Sequence, residues 1–123
     1  MVTRRKAVAV IDDDPAMLKA IERLLTAKGF DVVAFDSAES FLSLGDKNKP
    51  TCLVLDIHLG GMSGIELRRR LTASGSEIPV IFITALDDEP TRTEAMSAGC
   101  VAYLRKPFPS HLLMAAIEKA MSP

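Results

Sequence analysis

Residues 52–56 read Cys52-Leu53-Val54-Leu55-Asp56, a continuous apolar run that ends in a carboxylate. A strand that is apolar at every position has both faces covered, which is typical of a parallel strand inside a layered α/β sheet. The carboxylate falls where the strand ends and a loop begins. This stretch therefore predicts a buried central strand with a charged group at its carboxyl end.

Four further apolar runs lie along the chain, and stretches with helical spacing separate them. The predicted strands are about Ala7–Ile11, Asp31–Phe35, Cys52–Leu55, Val80–Thr84 and Val101–Leu104. The predicted helices are about Pro15–Ala27, Ser37–Leu44, one that begins near Gly64, Glu89–Ala98 and Pro109–Ala120. The order βαβαβαβαβα predicts a doubly wound α/β fold whose five parallel strands have the flavodoxin-like order 2-1-3-4-5.

Local signals predict the ends and the buried faces of the helices. Pro15 suits the first turn of the first helix, with Asp14 as N-cap and Gly29 as stop signal. Residues 68–70, all arginine, are expected to point mostly outward. The residues expected to face inward are Ile65 and Leu71 in the third helix, Ala95, Met96 and Ala98 in the fourth, and Leu112, Leu113, Ile117 and Ala120 in the fifth.

Composition limits the class of protein. The chain has 123 residues without a long polar or Pro/Gly-rich break, and its formal net charge is −1. We therefore expect one domain over residues 1–123, standing alone or cut from a longer chain, without direct nucleic-acid contact. No run approaches the roughly 18 apolar residues of a membrane span, and Asp12 ends the first apolar run too early for a signal peptide, so we expect a soluble, cytoplasmic protein. Cys52 and Cys100 are expected to pack as small apolar groups.

Polar groups follow four of the predicted strands, at the point where each strand ends. Asp12 and Asp13 follow the first strand and Asp56 ends the third, while Thr84 ends the fourth and Lys106 follows the fifth. In the order 2-1-3-4-5 the switch point lies between strands one and three, and ligands bind outside the carboxyl ends of the strands there. The sequence therefore predicts one site that contains all five side chains.

The predicted site has the composition of a metal and phosphoryl site. Two carboxylates about 4 Å apart repel by on the order of 4 kcal/mol at an effective dielectric of about 20, so the cluster needs protons or a cation. Mg²⁺ prefers oxygen ligands and uses one or two carboxylates plus a phosphate. Asp56 can act as a nucleophile toward a phosphoryl group, while Lys106 and the Thr84 hydroxyl can contact the oxygens of that group.

Each group also has an ordinary explanation when it is taken alone. Residues 12–14 could be acids that favour the N-terminus of a helix, and Asp56 could cap the following turn. Thr84 could be a satisfied strand residue, and Lys106 an exposed residue before Pro107. The functional interpretation depends on their joint placement, because the acids, the hydroxyl and the lysine follow different strands of one sheet.

Five motifs complete this picture: Val10–Pro15, Leu53–Asp56, Gly61–Gly64, Ile83–Ala85 and Tyr103–Phe108. With these motifs the chain resembles the CheY-like receiver domains of response regulators in two-component signalling, over essentially its whole length. The stretches Ala34–Leu42 and Ile78–Thr84 look most similar to FixJ-type receivers.

The resemblance implies a role for each site residue. Asp56 would accept a phosphoryl group from a histidine kinase or a phosphotransfer partner, and Lys106 would contact that group. Asp13 would bind Mg²⁺ directly and Asp12 mainly through water, with the backbone carbonyl of His58 as a further ligand.

The resemblance also implies a switch. Phosphorylation would draw Thr84 inward and Tyr103 would follow, which changes the face formed by helix four, strand five and helix five. That face would then prefer different partners or a second copy of the chain, giving a phosphorylation-dependent homodimer. Gly60 stands where the family commonly has proline, so the turn after Asp56 is expected to be pliable.

Other functions stay open at this point. The leading interpretation is a signalling module that catalyses only its own phosphorylation and slow hydrolysis, and is otherwise no enzyme. A small phosphohydrolase of the haloacid-dehalogenase type would use residues 12–14 as its Asp-x-Asp motif. A pseudo-receiver would bind partners without phosphorylation, although the intact acid set and Lys106 argue against it. A flavin carrier is less favoured because no glycine- and hydroxyl-rich loop follows the first strand.

Overall fold

The structure, a computed structural model, describes residues 6–48 and 50–122, apart from the side chains of residues 45–48. Five parallel strands form one sheet in the order β2-β1-β3-β4-β5, as predicted. Along the chain the elements are β1 Ala7–Ile11, α1 Pro15–Ala27, β2 Asp31–Phe35, α2 Ala38–Asn48, β3 Cys52–Asp56, α3 Gly64–Ala73, β4 Val80–Thr84, α4 Glu89–Ala98, β5 Ala102–Arg105 and α5 Ser110–Met121.

The sheet separates two clusters of buried side chains, because successive residues of a strand point to opposite faces. Every residue of β3 and β4 is buried, which explains why both strands are apolar almost throughout. The first cluster includes Ile11, Leu55 and Phe82 of the sheet with Phe41, Leu67 and Ala95 of α2, α3 and α4. The second includes Val10, Val54 and Ile83 with Ile21 and Leu25 of α1 and Leu113 and Ile117 of α5.

The strand register sets the positions of the functional groups. Ile11 of β1 lies beside Leu55 of β3, so Asp12 and Asp56 come next at the same edge of the sheet. Asp56 lies beside Ile83 of β4, so Thr84 comes one residue further along that strand. Thr84 in turn lies beside Arg105 of β5, and Lys106 follows at the end of that strand. The switch point between β1 and β3 therefore carries the acids, as predicted.

The structure corrects several of the predicted bounds. Strand β5 covers Ala102–Arg105 rather than Val101–Leu104, because its ladder with β4 pairs Ala102 with Ile81. Helix α2 continues to Asn48 instead of ending at Leu44. Gly45 lies inside this helix and does not end it. The reason is that one glycine destabilises a helix by only about 1 kcal/mol relative to alanine.

Two predictions about helix faces were wrong, and one residue of the arginine run departs from its prediction. Met96 is 54% exposed and Leu112 is 42% exposed, because the inward faces of α4 and α5 consist of smaller or differently spaced residues. Arg69 and Arg70 are exposed, as predicted, whereas Arg68 is partly buried. The Arg68 guanidinium donates to the carbonyl oxygens of Gly99 at 3.0 Å and Ile78 at 2.9 Å. The arginine thereby satisfies carbonyls beyond the end of α4 and before β4, a role that helical periodicity does not reveal.

The two cysteines are free, and they differ in burial. Cys52 lies in the sheet with no exposed surface, and burial raises the pKa of its thiol to about 12. Cys100 is partly exposed. Because the thiolate is the reactive species, we expect iodoacetamide to alkylate Cys100 and to leave Cys52 unmodified in the folded protein. Peptide mass mapping would check this, with both cysteines alkylated in urea as the control, and equal labelling of the two in the folded state would contradict it.

The described helices include no membrane span. None of those in residues 6–48 and 50–122 has both the length and the apolar character that crossing a bilayer requires.

Candidate functional site

Three carboxylates converge at the carboxyl edge of the sheet. Asp12, Asp13 and Asp56 each offer a carboxylate oxygen, and these oxygens lie within 4.8 Å of one another. Asp12 has no exposed surface and Asp56 is 4% exposed, whereas Asp13 is exposed. The sequence predicted this grouping, since all three follow neighbouring strands.

Lys106 brings a positive charge to two of these acids. Its Nζ lies 2.7 Å from Asp12 Oδ2 and 3.2 Å from Asp56 Oδ2, and its side chain is 12% exposed. The backbone N–H of Lys106 donates to the carbonyl of Thr84 at 2.7 Å, which fixes the start of the loop after β5. Burial alone would lower the pKa of Lys106, but its bonds to the two carboxylates outweigh burial and raise that pKa. The ammonium group is therefore a permanent charge in the site.

Asp56 retains less negative charge than an ordinary aspartate at mildly acid pH. Burial and the neighbouring Asp12 carboxylate raise the pKa of Asp56 from the ordinary 3.8 to about 6, against the opposing effects of Lys106 and the N–H of His58. One ammonium group thus does not fully compensate the acids that surround it. A site of this kind binds a proton or a cation readily.

Backbone N–H groups hold each carboxylate in place. Asp56 Oδ1 accepts from the N–H of His58 at 3.1 Å, and Asp12 Oδ1 accepts from the N–H of Asp14 at 2.9 Å. Asp13 Oδ2 accepts from the N–H of Gly60 at 3.3 Å. The side chain of Asp14 instead accepts from the first N–H groups of α1, so it is a helix cap, as predicted.

The oxygen donors fit Mg²⁺. The grouped ligand atoms are all carboxylate oxygens, without sulfur or imidazole, and a hard cation of high charge density prefers such a set. A divalent charge would also compensate the excess of acids over Lys106. The main chain of His58 lies next to this set, since its N–H binds Asp56.

The hydroxyl groups of the two expected switch residues, Thr84 and Tyr103, bond to groups other than the three clustered carboxylates. Thr84 is fully buried, and its hydroxyl donates to the carbonyl of Leu86 and accepts from the N–H of Leu86, both at 3.0 Å. The Tyr103 hydroxyl donates to Asp87 at 3.1 Å. Arg92 pairs with Asp87 at 2.6 Å, and its guanidinium carbon lies 5.7 Å from the centre of the Tyr103 ring.

Sequence reasoning missed the roles of Asp87 and Arg92. Both are polar residues near the start of α4, where acids and arginines are common on solvated surfaces. Their contacts with Tyr103 of β5 distinguish them from ordinary surface charges: Asp87 accepts from the Tyr103 hydroxyl, and Arg92 lies over the Tyr103 ring.

Comparison with known proteins identifies the family of this chain. The family model described as the response regulator receiver domain matches residues 8–118. This chain belongs to the response regulator receiver family. The receiver resemblance and the CheY-like fold predicted from the sequence are thus confirmed.

Among relatives, this receiver is similar to FixJ-type regulators. It is 39% identical over 120 residues to the transcriptional regulatory protein FixJ of Bradyrhizobium diazoefficiens, covering 98% of this chain and 58% of that protein. It is 36% identical over 121 residues to the response regulator protein TodT of Pseudomonas putida, covering 98% of this chain and 53% of that protein. The chain therefore spans little more than half the length of these curated relatives.

Solved structures show the same likeness. The crystal structure of FixJ-N aligns with a TM-score of 0.88 and 37% identity, over 97% of this receiver and 95% of that chain. The BeF3-activated DrrB receiver domain aligns with a TM-score of 0.85 and 30% identity, over 96% of this receiver and 98% of that chain.

Proposed function

We propose that this receiver is a phosphoacceptor module in which Asp56 takes a phosphoryl group from a histidine kinase or a phosphotransfer partner. The observation that carries the proposal is the contact of Lys106 with the buried Asp56 and Asp12, in one cluster with Asp13. Asp12, Asp13, Asp56 and the backbone carbonyl of His58 would hold Mg²⁺, which supplies charge neutralisation at the phosphoryl oxygens. At neutral pH most Asp56 is ionised and able to attack, because its pKa is about 6.

The reaction needs one bond made and one broken. A carboxylate oxygen of Asp56 attacks the phosphorus, and the bond from phosphorus to the donor breaks, so that the electron pair leaves with the donor group. Lys106 lies close enough to Asp56 to pair with an oxygen of the transferred group. The Thr84 hydroxyl can donate to a phosphoryl oxygen only after it gives up the bond that it donates to the carbonyl of Leu86, whereas it can still accept from the N–H of Leu86. This requirement links transfer to a movement of the loop after β4.

The proposed output follows from that movement. A shift of Thr84 would change the packing around Tyr103, whose hydroxyl donates to Asp87 in the loop before α4. The face of α4, β5 and α5 would then alter its affinity for a partner or for a second copy of the chain. We propose no enzymatic activity beyond the phosphorylation and hydrolysis of Asp56, and no nucleic-acid contact by this segment. The cytoplasmic location stays a prediction.

The role of Asp14 as a helix cap argues against the phosphohydrolase alternative. That interpretation needs a second catalytic acid two residues after the first, and the carboxylate of Asp14 instead caps α1 through the N–H groups of Ala16 and Met17. An acid committed to a helix cap is poorly placed for proton transfer to a substrate.

Intact mass spectrometry tests the proposal. With Mg²⁺ and acetyl phosphate we expect a single phosphoryl addition to the parent protein, and none when EDTA removes the metal or when Asp56 is replaced in Asp56→Asn. Asp36→Asn, which changes an exposed carboxylate after β2, should be labelled like the parent. Labelling of Asp56→Asn to the same extent would refute the assignment of the acceptor. Absence of labelling in the parent with both acetyl phosphate and a cognate kinase would favour the pseudo-receiver.

A further inference from the structure

The turn after Asp56, residues 60–62, is held at two points by carboxylates from other parts of the chain. The N–H of Gly60 donates to Asp13 Oδ2 at 3.3 Å, and the N–H of Met62 donates to Glu39 Oε2 at 3.0 Å. Gly61 lies between them with φ of +76°, and a Cβ there would meet Glu39 Oε2 at 2.7 Å. The first turn of α2 therefore touches the same loop that contacts the acid cluster.

Asp13 needs such support more than the other acids do. Asp12 and Asp56 are buried and bonded to Lys106, whereas Asp13 is exposed and accepts from the Gly60 amide. An exposed aspartate samples several rotamers, and fixing one of them costs conformational entropy at the moment of binding. A hydrogen bond that restricts this side chain before the cation arrives reduces that cost. The bond engages Oδ2 and leaves Oδ1 available to a metal.

We infer that the 60–62 turn positions Asp13 for the cation, with Gly60 supplying the orienting N–H and Glu39 anchoring the turn. The inference rests on the proposed function, in which Asp13 binds Mg²⁺. Gly60 and Glu39 are positioning residues, because they orient Asp13 and do not touch the reacting atoms. Glycine at position 60 makes this bond to Asp13 possible, because a proline there would have no N–H to donate.

Glu39 is well suited to anchor the turn at neutral pH. The N–H of Met62 lowers the pKa of the Glu39 carboxyl, so the acceptor is ionised wherever the protein is folded near neutrality. Its position in the first turn of α2 also places this negative charge at the favourable end of the helix.

Isothermal titration with MgCl₂ tests the role of Gly60. The compared variants are Gly60→Ala, which keeps the N–H, and Gly60→Pro, which removes it. A Cβ at Gly60 would meet no heavy atom within 4 Å, so the alanine side chain has room. We expect Gly60→Pro to bind Mg²⁺ about three- to tenfold more weakly than Gly60→Ala, because the Asp13 side chain would then have to be ordered at the moment of binding.

A second pair of variants tests the anchor. Glu39→Ala should weaken Mg²⁺ binding about two- to fivefold, and Glu39→Gln should restore part of the loss because its amide oxygen still accepts from Met62. With saturating Mg²⁺, the labelling rate with acetyl phosphate should return toward the parent value in both Gly60→Pro and Glu39→Ala. A merely structural defect would persist at saturation.

The outcomes separate this inference from the function on which it rests. Equal Mg²⁺ affinity of folded Gly60→Pro and Gly60→Ala would overturn the inference and leave the proposed function intact. Should Gly60→Pro fail to fold, Glu39→Ala decides, and an unchanged affinity in that variant overturns the inference. A parent protein that binds no Mg²⁺ would overturn both.

Discussion

Replacing Asp56 with asparagine is expected to raise the free energy of unfolding of the metal-free protein by about 3 kcal/mol near pH 7.5. The pKa of Asp56 is about 6 in the folded state and 3.8 in an ordinary environment, because burial and Asp12 disfavour its charge. Asparagine resembles the protonated form of the side chain in shape and carries no charge. The variant therefore avoids the cost of holding a buried carboxylate beside a second one.

The sign of the pH dependence follows from proton binding. Between about pH 4 and pH 6 the folded protein holds a proton on Asp56 that the unfolded chain has lost, so the contribution of this group to stability falls as pH rises. Below about pH 4 both states are protonated, and the advantage of asparagine disappears. Above about pH 6 both states are ionised, and the advantage reaches its full value.

Urea denaturation in EDTA at several pH values would measure this effect. The difference between Asp56→Asn and the parent should grow from near zero around pH 4 to its maximum above about pH 6. Asp36→Asn, in which an exposed carboxylate is replaced, should show no such growth. Parallel pH curves for the parent and Asp56→Asn would contradict the prediction.

This instability is connected with the proposed function. A carboxylate that is costly to ionise when the site holds only Lys106 gains most from a divalent cation. Mg²⁺ should therefore stabilise the parent, and Asp56→Asn much less, by the mass-action effect of a ligand that binds only the folded state. A residue that lowers stability and yet serves a reaction is a common feature of active sites.

The fold and the acid cluster could be predicted because both follow from long, strong patterns. Continuous apolar runs such as Cys52–Leu55 indicate buried parallel strands, and the strand order then places Asp12, Asp56 and Lys106 at one edge. None of these steps requires knowledge of a side-chain rotamer. The sequence therefore predicted correctly that Lys106 meets the acids of the cluster.

The rest depends on rotamers and on distances between segments far apart in the chain. No periodic signal in the sequence predicts three of the hydrogen bonds described above. They join Thr84 to Leu86, Glu39 to Met62 and Asp87 to Tyr103. The exposure of Leu112 likewise depends on where α5 lies on the sheet, since its spacing alone fits a buried stripe.

Gly64 is the clearest case of a residue whose role appears only in three dimensions. By sequence it marks the start of α3, where glycine is a poor helix former. In the structure a Cβ at this position would lie 2.3 Å from the carbonyl oxygen of Asp56 and 3.1 Å from Cα of Ile57. Its N–H also donates to the carbonyl of Ile57 at 2.9 Å. Helix α3 therefore begins in direct contact with the backbone that carries the proposed acceptor.

Gly64→Ala is expected to lower the free energy of unfolding by about 3 kcal/mol or more, because the methyl group meets backbone that cannot rotate away. The higher helix propensity of alanine offsets only about 1 kcal/mol of this cost. Urea denaturation measures the change, and Gly60→Ala is the matched control, since its methyl group meets no heavy atom within 4 Å. Relief of the clash must move either α3 or Asp56, so labelling by acetyl phosphate should also slow in whatever fraction stays folded. Equal stability of Gly64→Ala and Gly60→Ala would mean that α3 can start farther from Asp56 at little cost, and the close contact would then not be what requires glycine here.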